Sequence, residues 1–175
     1  MQTHRKQPRN RSGIGQHDFD FELGSWKIHL NKLMHPLRGS TKWVEFDGTS
    51  VTRKVWDGRA QLEQFEAESP VAGHIEGLTL RRYNAQSHQW RLYWANRKTE
   101  IMASPQVGEF HNGRGEFFVP DTIPGKTILI RFLWSDSNRN TPHLEPSFSD
   151  DGGKTWDVNW VTDQTRVSDE ADKAH

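Results

Sequence analysis

HIEGLTLRRYNAQSHQWRLYWAN, residues 74–96, holds two strand-like runs on either side of the turn segment NAQSH at residues 84–88. In the second run, Trp90, Leu92 and Trp94 alternate with Arg91 and Tyr93. This period of two is typical of a β-strand. Because so short a connection joins the runs directly, the two strands must be antiparallel, as parallel strands need a long crossover. The stretch therefore predicts an antiparallel hairpin with Trp94 on its inner face.

Runs of the same kind, broken by turn residues, extend in both directions from this hairpin. We expect strands at residues 25–33, 41–46, 50–56, 61–67, 74–83, 89–96, 107–111, 115–119, 126–134, 144–149 and 156–162. Asp47-Gly48, Asp57-Gly58 and Asn112-Gly113 tolerate a positive φ, as tight hairpins require. No convincing amphipathic helix appears between these runs. A meander of this length leaves exposed edges unless it closes, so we predict an all-β, closed antiparallel up-and-down barrel of about eight to ten strands.

Composition favours one folded domain. Hydrophobic residues are only 33% of the 175 residues, but net charge is zero and aromatic residues reach 11%, which a disordered chain lacks. The equal numbers of basic and acidic residues predict neither a nucleic-acid nor a membrane partner. The basic start has no apolar segment of a signal peptide, which favours a cytoplasmic protein. We expect a barrel domain at residues 17–167, flanked by flexible polar tails at residues 1–16 and 168–175.

A motif pair marks the two ends of the barrel. Gly24-Ser25-Trp26 opens the first strand, and Arg166 ends the last one. An arginine can lie over an indole face in a cation–π contact. The pair predicts that Trp26 is buried at one end of the barrel beneath Arg166, a structural rather than a chemical role.

Residues 149–156, SDDGGKTW, match the Asp-box pattern S-x-D-x-G-x-T-W. The carboxylate of Asp151 can accept turn amides, Gly153 can adopt unusual backbone angles and Trp156 can pack over the hairpin. A single copy excludes a sialidase propeller, in which the motif recurs, and the acidic ligands are too few for a calcium loop. We interpret this segment as a hairpin staple.

Several stretches resemble the DUF1579-type proteins, a family of bacterial lipocalin-like (calycin) barrels. They are residues 21–26, 80–94, 107–118, 130–135 and 148–166. The resemblance implies a calycin barrel, and it brings no catalytic residues because the family has no settled activity. The chain departs from it in its basic N-terminus and at Pro146, which we expect at an edge-like or bulged position.

A ligand site follows from the register of the last hairpins. If the loop at residues 136–142 is symmetric, Arg131 lies opposite Ser147 and Leu133 opposite Glu145, with Glu145 near Trp160. The face with aromatic walls and few polar groups is typical of a ligand pocket. We therefore predict a lumen site formed by Trp94, Arg131, Glu145 and Trp160.

The other face of the same strand carries Ile128, Ile130, Phe132 and Trp134. On this assignment it would be exposed, and monomers avoid large exposed apolar patches. A second copy of the chain is the simplest cover. The sequence thus predicts a homodimer through these four residues.

The function that the sequence favours is binding of a small apolar or aromatic molecule in the lumen, with no cofactor. A cofactor-free enzyme (isomerase, cyclase or dehydratase) is the alternative, with Glu145 as acid or base and Arg131 holding an oxyanion. A filled scaffold is a third possibility. The nine histidines show no metal-binding spacing, so we predict no metal site. The pattern does not assign His74 and His143 to the solvent-facing side. A haem-binding barrel, which needs one buried histidine, is therefore kept as a minor alternative.

Overall fold

The computed structural model describes residues 15–99, 101–135 and 140–170, and it contains one antiparallel sheet of eleven strands. The strands are β1 (Gly24–Leu33), β2 (Trp43–Val55), β3 (Ala60–Ser69), β4 (Gly73–Asn84), β5 (Gln89–Asn96), β6 (Gln106–His111), β7 (Arg114–Ile123), β8 (Lys126–Ser135), β9 (His143–Ser149), β10 (Asp157–Val158) and β11 (Trp160–Ser168). Two short 3-10 turns lie at Asp20–Glu22 and Trp56–Gly58. No helix in the described ranges is long and apolar enough to span a membrane.

The sheet closes on itself. Strands β1 to β9 pair in sequence order, β9 pairs with β11, and β11 pairs with β1. The short strand β10 pairs with β9 alongside β11. Closure removes the unpaired edges that an open meander would expose. The prediction of a closed antiparallel up-and-down barrel is confirmed, with ten strands in the ring.

One predicted turn is wrong. Asp47 and Gly48 lie in the middle of β2, so the expected runs 41–46 and 50–56 form one continuous strand. A Cβ on Gly48 would lie 2.6 Å from the carbonyl oxygen of Glu66 on β3. The glycine therefore permits a close approach of two strands and makes no turn. Asp57-Gly58 and Asn112-Gly113 do connect strands with positive φ angles.

Pro146 lies at an irregularity of the barrel, as the sequence predicted. Strand β9 pairs with β10 at Ser147 and with β11 at Leu144, and the pairing is interrupted between them. The N–H of Asn159, the residue between β10 and β11, donates to the carbonyl of Pro146 at 3.2 Å. Since the ladder is already broken here, the missing N–H of proline costs no strand pairing.

The N-terminal turn plugs one end of the barrel. Phe19 is fully buried, and its ring meets Trp90 and Trp134 edge to face, with centroids 5.1 and 5.7 Å away. The indole N–H of Trp90 donates to the carbonyl of Gly15 at 2.9 Å. Gly15, which the sequence assigns to the N-terminal tail, thus contacts the barrel through this bond. Residues 1–14 and 171–175 of the expected tails lie outside the described residues.

The predicted pair at this end is confirmed. Trp26 is 1% exposed, and the guanidinium carbon of Arg166 lies 4.0 Å from the centre of its ring. Arg166 also donates to the carbonyls of Phe21 and Leu23, at 2.7 and 2.5 Å. These bonds tie the last strand to the plug.

The turn after β9 is held by one carboxylate. Asp151 accepts the backbone N–H groups of Lys154 and Thr155, both at 3.0 Å. It also accepts the hydroxyls of Ser149 and Thr155, both at 2.7 Å. These bonds hold the pKa of Asp151 well below its ordinary range, since each one favours the charged carboxylate. The charged form of Asp151 therefore orders the turn.

The apolar side of β8 faces inward. Trp134 packs against Phe19, and Ile128 and Ile130 pack with Val119 and with Phe132. These β8 side chains fill the barrel interior and cannot form an outer surface. The predicted dimer interface through Ile128, Ile130, Phe132 and Trp134 is therefore wrong. The homodimer was inferred from an exposed apolar face on β8, and these side chains do not form one.

Candidate functional site

Aromatic side chains line the open half of the interior. Trp94 on β5 and Trp160 on β11 both point inward, as predicted for the lumen. The ring of Trp94 lies 6.0 Å from that of Phe65, and the ring of Trp160 lies 5.7 Å from that of Phe46. A Cβ on Gly77 would come within 2.0 Å of the Trp94 indole. Only glycine lets this indole lie flat against β4.

Several inward-facing rings are not fully covered. Phe65, Trp94, Phe132 and Trp160 are half-buried, whereas Phe19 and Trp26 near the plug are buried. An inward side chain keeps some exposure only where solvent enters the barrel. The interior is therefore closed at the plug and open at the other end, where the loop after β1 and the turn between β7 and β8 form the rim.

Arg131 and Glu145 lie on the outer face, so the four predicted site residues do not surround one cavity. The Arg131 guanidinium lies 4.5 Å from the centre of the Trp156 ring, outside the barrel. Glu145 is paired with His143 at 3.1 Å. The predicted register was right, since Arg131 faces Ser147. The face assignment was wrong for both charged residues.

The irregularity at Asn159 explains how Trp160 was nevertheless placed inside. Val158 pairs with Ser147 and lies on the outer face. Trp160 pairs with Lys32 and lies on the inner face with Thr162. Val158 and Trp160 are two positions apart in the chain, so a regular strand would put their side chains on the same face. The extra residue switches the face at this point, as a β-bulge does.

Sequence reasoning missed a buried ionic cluster near the plug. The Nη2 of Arg81 lies 2.8 Å from a carboxylate oxygen of Glu63 and 3.4 Å from one of Glu22. The amide of Gln164 donates to the other Glu22 oxygen at 3.2 Å. The Arg81 and Glu22 side chains are 2% and 0% exposed. The ring of Phe19 lies 5.2 Å from the guanidinium, so the cluster sits directly on the plug.

The cluster holds a proton near neutral pH. Burial, together with the nearby charge of Glu63, raises the pKa of Glu22 from 4.5 to about 7, against the attraction of Arg81. Buried polar atoms normally have hydrogen-bond partners. Here Nε and Nη1 of Arg81 and the hydroxyls of Ser50 and Thr52 have none. The cluster therefore keeps buried polar atoms without partners next to the plug.

A cavity of about 370 Å³ opens at the rim. It lies between the loop after β1 and the turn that joins β7 to β8. Its apolar lining includes Leu33, Met34, Ile123 and Phe148, and its polar lining is basic: Lys32, His35 and Arg38. The N–H of Leu37 donates to a carboxylate oxygen of Asp157 at 2.6 Å, which fixes the loop above the cavity.

The described histidines do not supply a buried metal ligand. His74 and His143 point outward and pair with carboxylates, at 2.6 Å from Glu68 and Asp163 respectively. Among the described residues, no three histidine, aspartate or glutamate side chains are grouped so that they could hold a metal ion. The haem alternative therefore has no buried histidine in the described ranges, since His35, which lines the rim cavity, is exposed.

Comparison with known proteins supports the fold. No protein-family model matches the sequence, and neither does any curated protein. The DUF1579-type resemblance is thus not confirmed. Among solved structures, the barrel is similar to the S-type phycobiliprotein lyase of Guillardia theta, with a TM-score of 0.59 and 12% sequence identity. The match covers 96% of this chain and 100% of that one. The two chains share a lipocalin-like barrel.

Proposed function

We propose that the chain binds a small, largely apolar or aromatic molecule in its barrel, against Trp94 and Trp160. The observation that carries this proposal is the set of inward-facing aromatic rings that remain half-exposed at the open end. A core that served only stability would bury such rings fully, because each ring stabilises the fold in proportion to the area removed from water. The cytoplasmic location stays a prediction.

The half-exposed rings also favour binding over a filled scaffold. Apolar walls with a few polar groups are the usual composition of a small-molecule pocket. Here Phe65, Trp94 and Phe132 form such walls, and the polar atoms of Arg81 and Thr52 lie at the floor. A ligand would displace water from the rings and leave the buried plug unchanged.

The proposal is tested with N-phenyl-1-naphthylamine, a neutral aromatic probe whose fluorescence rises in apolar surroundings. We expect the native protein to bind it with a micromolar Kd. Trp94→Leu should weaken binding by roughly three- to tenfold, because a ring contact contributes about 0.5–1.5 kcal/mol. Tyr93→Leu is the matched control, since the neighbouring side chain points outward. Absence of binding, or equal effects of the two variants, would refute the proposal.

A cofactor-free enzyme is the second candidate, favoured by the raised pKa of Glu22. A carboxyl that titrates near pH 7 can act as a general acid or base, and the unpaired N–H groups of Arg81 could hold an oxyanion. Glu22 and Arg81 here replace Glu145 and Arg131, which face outward. The reaction would be an isomerisation, cyclisation or dehydration.

Among these reactions, an isomerisation by acid–base catalysis moves a proton at carbon. Ligands that co-purify with the native protein would be incubated with it in D₂O and followed by mass spectrometry. We expect deuterium incorporation with the native protein and none with Glu22→Gln. Equal incorporation in both, or none with the native protein, would argue against the enzyme.

A further inference from the structure

We propose that the ligand is an amphipathic acid whose anionic group binds at the mouth of the barrel, to Lys32 and Arg38. The inference rests on the proposed binding function and adds the chemical class of the ligand and its orientation. The rim cavity is its physical basis, since basic side chains and apolar walls meet there.

Two residues that line the cavity also lie on the inner face of the barrel. Phe148, one of its lining residues, pairs with Ile130 on the inner face. The ammonium group of Lys32, another lining residue, lies 5.4 Å from the centre of the Trp160 ring. A molecule whose apolar part lies against the inner aromatic wall can thus place its end group beside Lys32.

The basic side chains at the rim have no ion-pair partner within the described part of the chain. Lys32 and Arg38 form no ion pair there, and the cavity lining contains no acidic residue. The nearby Asp157 is already bonded to the backbone of Leu37, and Asp150 is paired with Lys126. The whole chain has no net charge, so this local excess is a property of the mouth.

The loop that carries Arg38 is held in one conformation. His35 and Leu37 have φ angles of 57° and 62°, in the left-handed region that most residues avoid. Such strain persists only where surrounding contacts impose it, and it is often found at ligand sites. The N–H of Met34 donates to the carbonyl of Lys42 at 2.8 Å, and Leu37 is fixed by Asp157. These two bonds tie down the loop that forms one wall of the cavity.

The buried cluster fixes the orientation of the ligand. Arg81 is the basic residue at the floor, but it already faces the carboxyl groups of Glu22 and Glu63. A third acidic group would add negative charge where burial already penalises it. The acid must therefore stay at the mouth, and the apolar end points toward the floor.

The test compares two probes that share a skeleton. 1-Anilinonaphthalene-8-sulfonate carries a sulfonate, and N-phenyl-1-naphthylamine is the same ring system without it. We expect the native protein to bind the sulfonate several-fold more tightly at low salt, and this preference to fall as salt is added. Lys32→Gln with Arg38→Gln should weaken sulfonate binding by about five- to tenfold and leave the neutral probe within twofold.

The control variant is Lys27→Gln with Arg53→Gln, two exposed positions on β1 and β2 outside the cavity. It removes the same charge, so an equal loss of sulfonate binding would mean a general charge effect and overturn the inference. Equal affinity of the native protein for both probes would also overturn it, while the binding function would stand. Failure of both probes to bind would refute the binding function, and with it the inference.

Discussion

The buried carboxyl of Glu22 predicts an unusual pH dependence of stability. Its pKa is raised from 4.5 to about 7 in the folded chain, chiefly by burial. Below pH 4.5 the carboxyl is protonated in both the folded and the unfolded states. As the pH rises toward 7 the unfolded chain loses this proton and the folded chain keeps it. The free energy of unfolding must therefore fall over this range.

The size of the effect follows from the two pKa values. The difference between 4.5 and about 7 corresponds to about 3 kcal/mol of unfolding free energy. Glu22→Gln removes the charge and keeps a similar shape. Gln164 has an unpaired amide oxygen that can accept the new N–H group. At pH 4.5 the variant should match the native protein, and at pH 8 it should be more stable by about 3 kcal/mol.

Urea denaturation between pH 4.5 and 8 measures this difference directly. The pKa of His29 is also raised, chiefly by its hydrogen bond to Asp47. At His143 burial lowers the pKa, but hydrogen bonds to two carboxylates outweigh it and the net shift is upward. Their stabilisation is lost as the pH rises through the folded-state pKa, in the same direction, but it is equal in both proteins and cancels. Glu66→Gln is the control, since this residue is exposed on β3. Parallel curves for the native protein and Glu22→Gln would refute the reasoning.

Three further variants test other parts of the structure. Asp151→Ala should lower the Tm at pH 7 and leave binding of N-phenyl-1-naphthylamine unchanged, since the carboxylate orders only an outer turn. Because the pKa of the Asp151 carboxyl is depressed, its stabilisation is lost as the pH falls below 3.8. The Tm difference between the native protein and Asp151→Ala should therefore shrink at pH 2, and a constant difference would contradict this. Gly77→Ala should displace the Trp94 indole, which lies 2.0 Å from the added Cβ, and weaken probe binding; unchanged affinity and tryptophan emission would count against it. Arg166→Met should lower the unfolding free energy by about 2–4 kcal/mol, because the Trp26 ring loses its cation and two carbonyls lose their donor. A smaller loss in urea denaturation would show that the plug does not depend on Arg166.

The strands and their antiparallel pairing were predictable from the sequence, because both depend on residues close together in the chain. Alternation identified most of the strands, and the lack of a long connection required antiparallel pairing. The pair formed by Trp26 and Arg166 was predictable because each residue lies at the end of a terminal strand. Even the register of β8 against β9 was correct, with Arg131 opposite Ser147.

The turn predicted at Gly48 is wrong because the local residue types do not decide the backbone conformation there. Asp47-Gly48 has the composition of a tight turn, but β1 and β3 pair with β2 on both sides of it. The glycine is needed because another strand approaches closely. A sequence pattern cannot separate these two uses of glycine, since both depend on the same missing Cβ.

One feature of the sequence does indicate the buried ionic cluster around Arg81, although the overall composition does not. Arg81 and Arg82 are adjacent on β4, and successive side chains point to opposite faces. One of the two must therefore face inward. The hairpin register puts Arg81 opposite Leu92, on the face of Trp90 and Trp94. Its partners could not be identified in the same way, because Glu22 belongs to the plug and contacts Arg81 only through the closed fold.

The assignment of faces near the C-terminus depended on one residue. Counting back from Arg166, which lies over Trp26, puts Thr162 and Trp160 inside. Counting forward from Arg131 through Ser147 puts Val158 outside. Both counts are correct, although in a regular strand they would place Val158 and Trp160 on the same face. They differ because Asn159 is an extra residue between β10 and β11. Asn159 donates to the carbonyl of Pro146 and accepts the N–H of Leu33, so the extra residue is bonded to β9 on one side and to β1 on the other. The same irregularity thus joins the last strands of the barrel and turns Trp160 toward the barrel interior.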